Sequence, residues 1–293
     1  ENLMEISPAT RGILVHRILD EFVSSRETTR ENEGSIDAEQ KIAGIARSVL
    51  ARFARESAVG HLALWDMYAE RLIWDLRKWL SVETGVRVER DVGDTYTEFK
   101  FSTGKDGYPP VVIMLDREKE VVLSGAIDRV EISTDRKNAW IYDYKTGDPS
   151  HYELSTEDPI GYGRILQLGV YAAAVRSAFQ NLETVDARYW FVFNQSGKKL
   201  VPKIWQEQST STALERALKI IVGNMRSGIY PARPGNSTRR LGKLDSFENC
   251  VTCAFDRICP KDKERMWSRK SVDPRLKKYV HLVGGSTGSD DGS

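Results

Sequence analysis

Two aspartates and a lysine stand close together in the stretch Ser124–Gly147, SGAIDRVEISTDRKNAWIYDYKTG. Asp128 follows the apolar pair Ala126–Ile127, and Asp143 sits between Tyr142 and Tyr144, two residues before Lys145. Charged residues set within apolar strands need a reason, because acidic side chains are seldom buried without a partner. Two hard oxygen ligands suit Mg²⁺ or Mn²⁺, which take few carboxylates and keep water and a substrate phosphate. A lysine beside such an ion would orient or deprotonate the attacking water, with a pKa that responds to the ion and to burial. The same residues also fit a β-hairpin with a surface salt bridge, since Asp-x-Lys is a common spacing. Both readings are open from these residues alone.

Flanking elements decide whether the three groups meet. Asp135–Asn138 reads as a turn between strands at Glu120–Ile132 and Ala139–Tyr144. Antiparallel pairing would bring Asp128, late in the first strand, close to Asp143, and alternation puts Asp143 and Lys145 on one face. Further strands are expected at Val86–Val92, Thr97–Ser102, Val111–Leu115, Ala187–Asn194 and Lys199–Trp205. Apolar spacing predicts helices over 8–24, 38–58, 60–81, about 163–179 and about 211–227, with a loop at Ser24–Glu39. Gly228–Gly235 (GIYPARPG) is a breaker-rich connection, and the tail GGSTGSDDGS is expected to be disordered.

The chain has 293 residues, 40% apolar and 29% charged, which is ample for a buried core. No apolar run reaches about 18 residues, so a membrane span is not expected. The start, ENLMEIS, has no charged-then-apolar leader, so a cytoplasmic location is expected rather than secretion. It also lacks an initiator Met, as a fragment of a longer polypeptide would. The net charge of +1 is unevenly spread: residues 236–281 carry 12 basic and 6 acidic residues, against 31 and 34 in residues 1–235. That basic segment suits either a phosphate backbone or a solvated surface. No G-x-x-x-x-G-K-[ST] occurs, so ATP hydrolysis is not expected of these residues.

Cys250, Cys253 and Cys259 follow a Cys-x₂-Cys-x₅-Cys spacing in CVTCAFDRICP. Three thiols without a secretion signal argue against a disulfide framework. Clustered thiolates suit zinc or iron, but three are one short of a four-cysteine site. His16 lies among Leu14, Val15, Ile18 and Leu19, where a packed, hydrogen-bonded histidine is the plain alternative to a ligand. Gln167 and Tyr171 are one helical turn apart and share a face.

Together these motifs resemble the PD-(D/E)XK nuclease superfamily, and most of all its RecB-like exonuclease branch. GAIDR followed by IYDYKTG resembles the family core. Gln167 and Tyr171, in LQLGVY, resemble its Gln-x-x-x-Tyr helix, and His16, in RGILVHRILDEF, resembles its upstream helical histidine. Cys250, Cys253 and Cys259 resemble the C-terminal triplet of the iron–sulfur members. The order holds over about residues 10–262.

The resemblance implies an α/β (α+β) fold with a restriction-endonuclease-like core, a central mixed sheet flanked by helices. A helical region would span 1–82 and contribute His16. The nuclease core would span 83–235, a basic Cys-rich module 236–281 and a disordered tail 282–293. The implied activity is metal-dependent DNA hydrolysis, as an exonuclease, in double-strand-break repair or recombination. Asp128, Asp143, His16 and the Tyr144 carbonyl would hold Mg²⁺ or Mn²⁺, with Lys145, Gln167 and Tyr171 completing the catalytic set. Single-stranded DNA ends and a helicase domain or subunit are the implied partners. A [4Fe–4S] cluster is implied on the three cysteines; the family's fourth cysteine lies upstream of the His helix, where this chain has none, and nothing in its spacing recommends His281 instead. The rival expectations are a CRISPR-adaptation nuclease of the same superfamily, a catalytically idle DNA-binding scaffold, and a zinc-stabilised structural module.

Overall fold

The computed structural model describes residues 6–29, 35–57, 62–105, 107–115, 120–152, 154, 158–193, 207–240, 243–251 and 253–284. The expected strand at Lys199–Trp205 and all but the first residue of the expected GGSTGSDDGS tail lie outside them.

Three helices open the chain: α1 (Pro8–Thr29), α2 (Ser35–Glu56) and α3 (Leu62–Val88). Each recurs to one apolar face at helical spacing. In α1 that face is Leu14, Val15, Ile18, Leu19, Phe22 and Val23; in α3 it runs from Trp65 through Leu72, Leu76 and Trp79. The helices are longer than expected. The strand expected at Val86–Val92 is instead the end of α3, to Val88, and the turn that leads into β1; Val82 and Val86 pack on the helical core. Packing there overrides the β preference of valine. The expected boundary at 82/83 therefore falls inside α3.

β1 (Val92–Phe101), β2 (Val111–Met114), β3 (Glu120–Leu123), β4 (Gly125–Ser133) and β5 (Asn138–Lys145) follow, then α4 (Gln167–Ala178) and β6 (Thr184–Phe191). A four-stranded sheet forms in the order β1-β4-β5-β6. β1–β4 and β4–β5 are antiparallel, and β5–β6 is parallel. A parallel step needs a crossover, which here carries α4. The strand expected over Glu120–Ile132 is two strands. β3 pairs with β2, and the chain changes partner at Ser124. Gly125 opens β4 against the Phe101 ring, where a Cβ would come within 2.9 Å of it. Asp128 is thus the fourth residue of β4 rather than late in a long strand. The helix expected from Gly163 starts at Gln167, because Gly161, Tyr162 and Gly163 all take left-handed φ values of 54 to 79° in a turn.

The sheet is covered on both faces. Tyr142, Tyr144, Trp190 and Val192 join the α1–α3 core, where Trp79 meets Trp190 at 5.4 Å and Tyr144 at 5.9 Å between ring centroids. Alternation sends Asp143 and Lys145 to the other face, toward α4. Among the described residues no helix is long and apolar enough to cross a membrane.

Two compact units divide the chain: residues 1–161 with 165–212, and residues 162–164 with 213–293. The second holds the C-terminal part of α5 (Glu207–Arg226), the hairpin β7 (Ser237–Arg240)–β8 (Lys243–Phe247), α6 (Lys263–Ser271) and α7 (Lys277–Gly284). The boundary expected at 281/282 falls inside α7. Leu214, Ala217, Leu218, Phe247 and Leu276 are among the unit's buried apolar residues. Asp262 caps α6 by accepting from Arg265 N at 3.1 Å.

Beneath the first unit's sheet lies a buried ion network. Arg129 on β4 donates to Glu83 of α3 at 2.8 Å and also to Glu131; Arg26 of α1 donates to the other Glu83 oxygen at 2.8 Å. Burial alone would raise the Glu83 pKa, but Arg129 and Arg26 outweigh it and hold the carboxyl below its usual value. We expect Glu83→Ala to cost about 3–5 kcal/mol in denaturant unfolding, because Arg129 loses a buried partner. A depressed folded-state pKa gives stability that is present above the unfolded value of 4.5 and lost as pH falls through the lower folded one. Acid unfolding of the wild type should therefore be steep below pH 4.5, and shallower in the variant.

Candidate active site

β4 and β5 pair from Ile132–Ala139 to Arg129–Tyr142, and the ladder stops there. Beyond it, side chains take over the backbone's hydrogen bonds. The Tyr144 N–H donates to Asp128 Oδ2 at 2.6 Å, Asp128 Oδ1 lies 3.1 Å from His16 Nδ1, and His16 Nε2 lies 2.8 Å from the Tyr144 carbonyl oxygen. The three residues close a ring. α1 positions His16 through Leu14, Val15, Ile18 and Leu19, and it is anchored locally by Arg11, which donates to the Thr146 carbonyl at 2.9 Å. Both ring nitrogens of His16 face acceptors, an arrangement that only the imidazolium satisfies fully. Burial lowers the His16 pKa, but the Asp128 carboxylate and the Tyr144 carbonyl more than reverse this, so the net shift is upward.

Asp143 is buried, with its side chain 3% exposed. Burial pushes its carboxyl up to about 6; Lys145 and His16 oppose the rise and Asp128 adds to it. Lys145 Nζ forms an ion pair with Asp143 Oδ2. Lys145 also donates to Gln167 Oε1 at 3.1 Å, and Gln167 Nε2 donates to the Tyr171 hydroxyl at 2.7 Å. Burial first, and Asp143 second, push the Tyr171 pKa upward. Asp128, Asp143, Lys145, His16, Tyr144, Gln167 and Tyr171 are therefore all brought into one contiguous site.

Two acidic residues beside this site carry no mark in the sequence motifs. Glu98 stands across β1 from Asp128, out of the ladder between Thr97–Arg129 and Phe99–Ile127, with φ +46°. Burial, then Asp128 and Asp20, raise its pKa. Asp20 lies one turn after His16 on α1, and an open groove is lined by Gly12, Ile13, His16, Arg17, Asp20 and Glu98. The spacing His16–Asp20 was the available signal; nothing in TYTEFKF marks Glu98.

By its chemistry the donor set suits a hard divalent cation: two carboxylates, one of them buried, a main-chain carbonyl and an imidazole. Among the described residues no group of three or more His, Cys, Asp or Glu side chains is placed to hold a metal ion. His16 and Lys145 lie against the carboxylate oxygens that a cation would share.

In the second unit Cys250, Cys253 and Cys259 are free thiols. Cys253 N donates to the Cys250 carbonyl at 3.2 Å, closing a tight turn, and the Cys250 thiol engages Asp256, which pairs with Lys263 at 2.6 Å.

A mixed four-stranded sheet flanked by helices, with two carboxylates and a lysine where β4 and β5 part, defines a restriction-endonuclease-like α/β fold. The family model of the PD-(D/E)XK nuclease superfamily matches residues 2–260, and the chain belongs to that superfamily. Similar curated proteins are each named as one subunit of an ATP-dependent helicase/deoxyribonuclease. That of Clostridioides difficile (strain 630) is 27% identical over 174 residues, 58% of this chain and 14% of the relative. That of Caldanaerobacter subterraneus subsp. tengcongensis is 27% identical over 193 residues, 64% of this chain and 16% of the relative. That of Thermoanaerobacter sp. (strain X514) is 23% identical over 184 residues, 59% of this chain and 15% of the relative. The matched segments thus span about a seventh of the relatives' length.

A raised carboxyl pKa means that the folded state is penalised increasingly as pH rises from the unfolded value of 3.8 through about 6. In chelator at pH 7.5, Asp143→Asn should therefore melt above the wild type, by on the order of 1–3 kcal/mol in stability. The difference should shrink as pH falls below 6.

Proposed function

We propose that this chain is a divalent-metal-dependent deoxyribonuclease that hydrolyses phosphodiester bonds as an exonuclease, working in the cytoplasm in double-strand-break repair or recombination. The observation that carries this reading is the ring of Asp128, Tyr144 and His16 beside the buried Asp143 carboxylate, which is paired with Lys145. Asp128, Asp143, His16 and the Tyr144 carbonyl would hold Mg²⁺ or Mn²⁺. The ion would supply Lewis-acid polarisation of the phosphate and a lower pKa for bound water. Lys145, at the mouth of the pair, steadies charge that develops on the phosphoryl oxygens or orients the water. Gln167 holds Lys145 through its Oε1, and Tyr171 holds Gln167.

The relatives' names support a helicase partner, as another part of the same polypeptide or as a separate chain. The basic segment around Arg239–Lys278 would guide a single-stranded end, since sequence-independent strand binding rests on cationic and aromatic surface. The three cysteines belong to the same reading: with a fourth ligand from outside this chain they would hold a [4Fe–4S] cluster that ties the ends of the nuclease domain together. Iron and sulfide in anaerobically purified intact protein, with a lower melting temperature after Cys253→Ala, are expected; a metal-free protein or an unchanged melt counts against the cluster.

The direct test is cleavage of end-labelled and circular single-stranded DNA with Mg²⁺, Mn²⁺ or chelator. The chain should degrade the end-labelled DNA, spare the circles and stop in chelator. Lys145→Ala and Asp143→Ala should lower cleavage at least about 100-fold while DNA binding falls much less. Metal-dependent cleavage that persists in both variants would refute the site assignment.

A further inference from the structure

Lys145 has neighbours that the motifs do not account for. β5 and β6 run parallel, with Asp143 opposite Tyr189 and Lys145 opposite Phe191. Paired residues of neighbouring strands project to the same face, so these four side chains share one surface. The turn Pro149–Tyr152 then folds back over it. Tyr152 meets Tyr189 at 4.8 Å and Phe191 at 5.4 Å between ring centroids. The Lys145 ammonium lies over both tyrosine rings, 5.0 Å from the Tyr189 centroid and 5.8 Å from that of Tyr152.

We propose that Tyr152 and Tyr189 are positioning residues that hold the Lys145 ammonium against two neighbouring rings on one side, aimed at Asp143 and Gln167. The proposal rests on the nuclease reading of the site. A lysine has a long flexible stem, and its directional partners here are few. It pairs with Asp143 and donates to Gln167. Two ring faces add attraction from a further side, and such contacts strengthen when the cation is desolvated. The Lys145 side chain is 19% exposed, and Tyr189 is buried. Tyr152 and Tyr189 present their rings to the lysine ammonium, so they act on the reaction through Lys145.

The test compares Tyr152→Leu, which removes the ring, with Tyr152→Phe and Tyr189→Phe, which keep the ring faces. Two readouts are used on the full chain: kcat and KM for cleavage, and the NMR position of the Lys145 ε-methylene group in lysine-labelled protein, assigned with Lys145→Arg. Ring faces should shift this resonance upfield in the wild type. Tyr152→Leu should move it toward the free-lysine position and lower kcat about tenfold, with KM changed less than about twofold. Both phenylalanine variants should retain the shift and the kcat. Melting curves establish that each variant is folded. A kcat retained in folded Tyr152→Leu, an equal loss in Tyr152→Phe, or an unshifted wild-type resonance would each overturn the proposal. A wild type that cleaves no DNA counts against the nuclease reading itself, and the resonance then decides alone whether the rings hold the lysine.

Discussion

The Asp128 carboxylate does the work of a backbone group. One oxygen takes the Tyr144 N–H and the other faces His16, whose second nitrogen lies against the Tyr144 carbonyl. Main-chain polar groups of a buried strand must find partners. Here, where β4 and β5 stop pairing, those partners are side chains. A gap in the sheet opens without orphaning the backbone, and it is ringed by oxygen atoms. That arrangement needs a helix carrying a histidine to lie against the end of the sheet. The α1–α3 layer provides it, locked by Trp79 against Tyr144 and Trp190.

The two faces of the site strands carry opposite electrostatic solutions. On the helical face, Arg129 and Arg26 meet Glu83 and Glu131, so buried charges are paired. On the other face, Asp143 and Asp128 repel, and Lys145 pairs with Asp143. A fold that meets its buried carboxylates with arginines on one side crowds two carboxylates beside one lysine on the other. Local conflict of this kind is expected at sites that bind something. Arg129 follows Asp128 directly, so the paired network also fixes the backbone from which the conflicted carboxylate projects.

Much of the site was legible because its chemistry is written in short spacings. DYK places Asp143 and Lys145 on one face of β5, and QLGVY places Gln167 and Tyr171 on one turn of α4. His16 was legible only through resemblance, since its meeting with Asp128 spans 112 residues and leaves no local mark. The strand break at Ser124 was hidden because β3 and β4 are both apolar, and only their partners differ. The length of α3 was hidden because Val82 and Val86 favour strands locally and are held helical by packing. Glu98 escaped notice because its place depends on a left-handed backbone that the sequence does not announce.

The nuclease reading requires Asp128, Asp143, His16 and the Tyr144 carbonyl to share one divalent ion. Anomalous diffraction from crystals of the chain soaked in Mn²⁺ tests this most directly. A single Mn²⁺ peak about 2.0–2.3 Å from an oxygen of each aspartate and from the Tyr144 carbonyl, with His16 turned onto it, is the expected result. No peak at these residues, or Mn²⁺ bound only elsewhere, would contradict it.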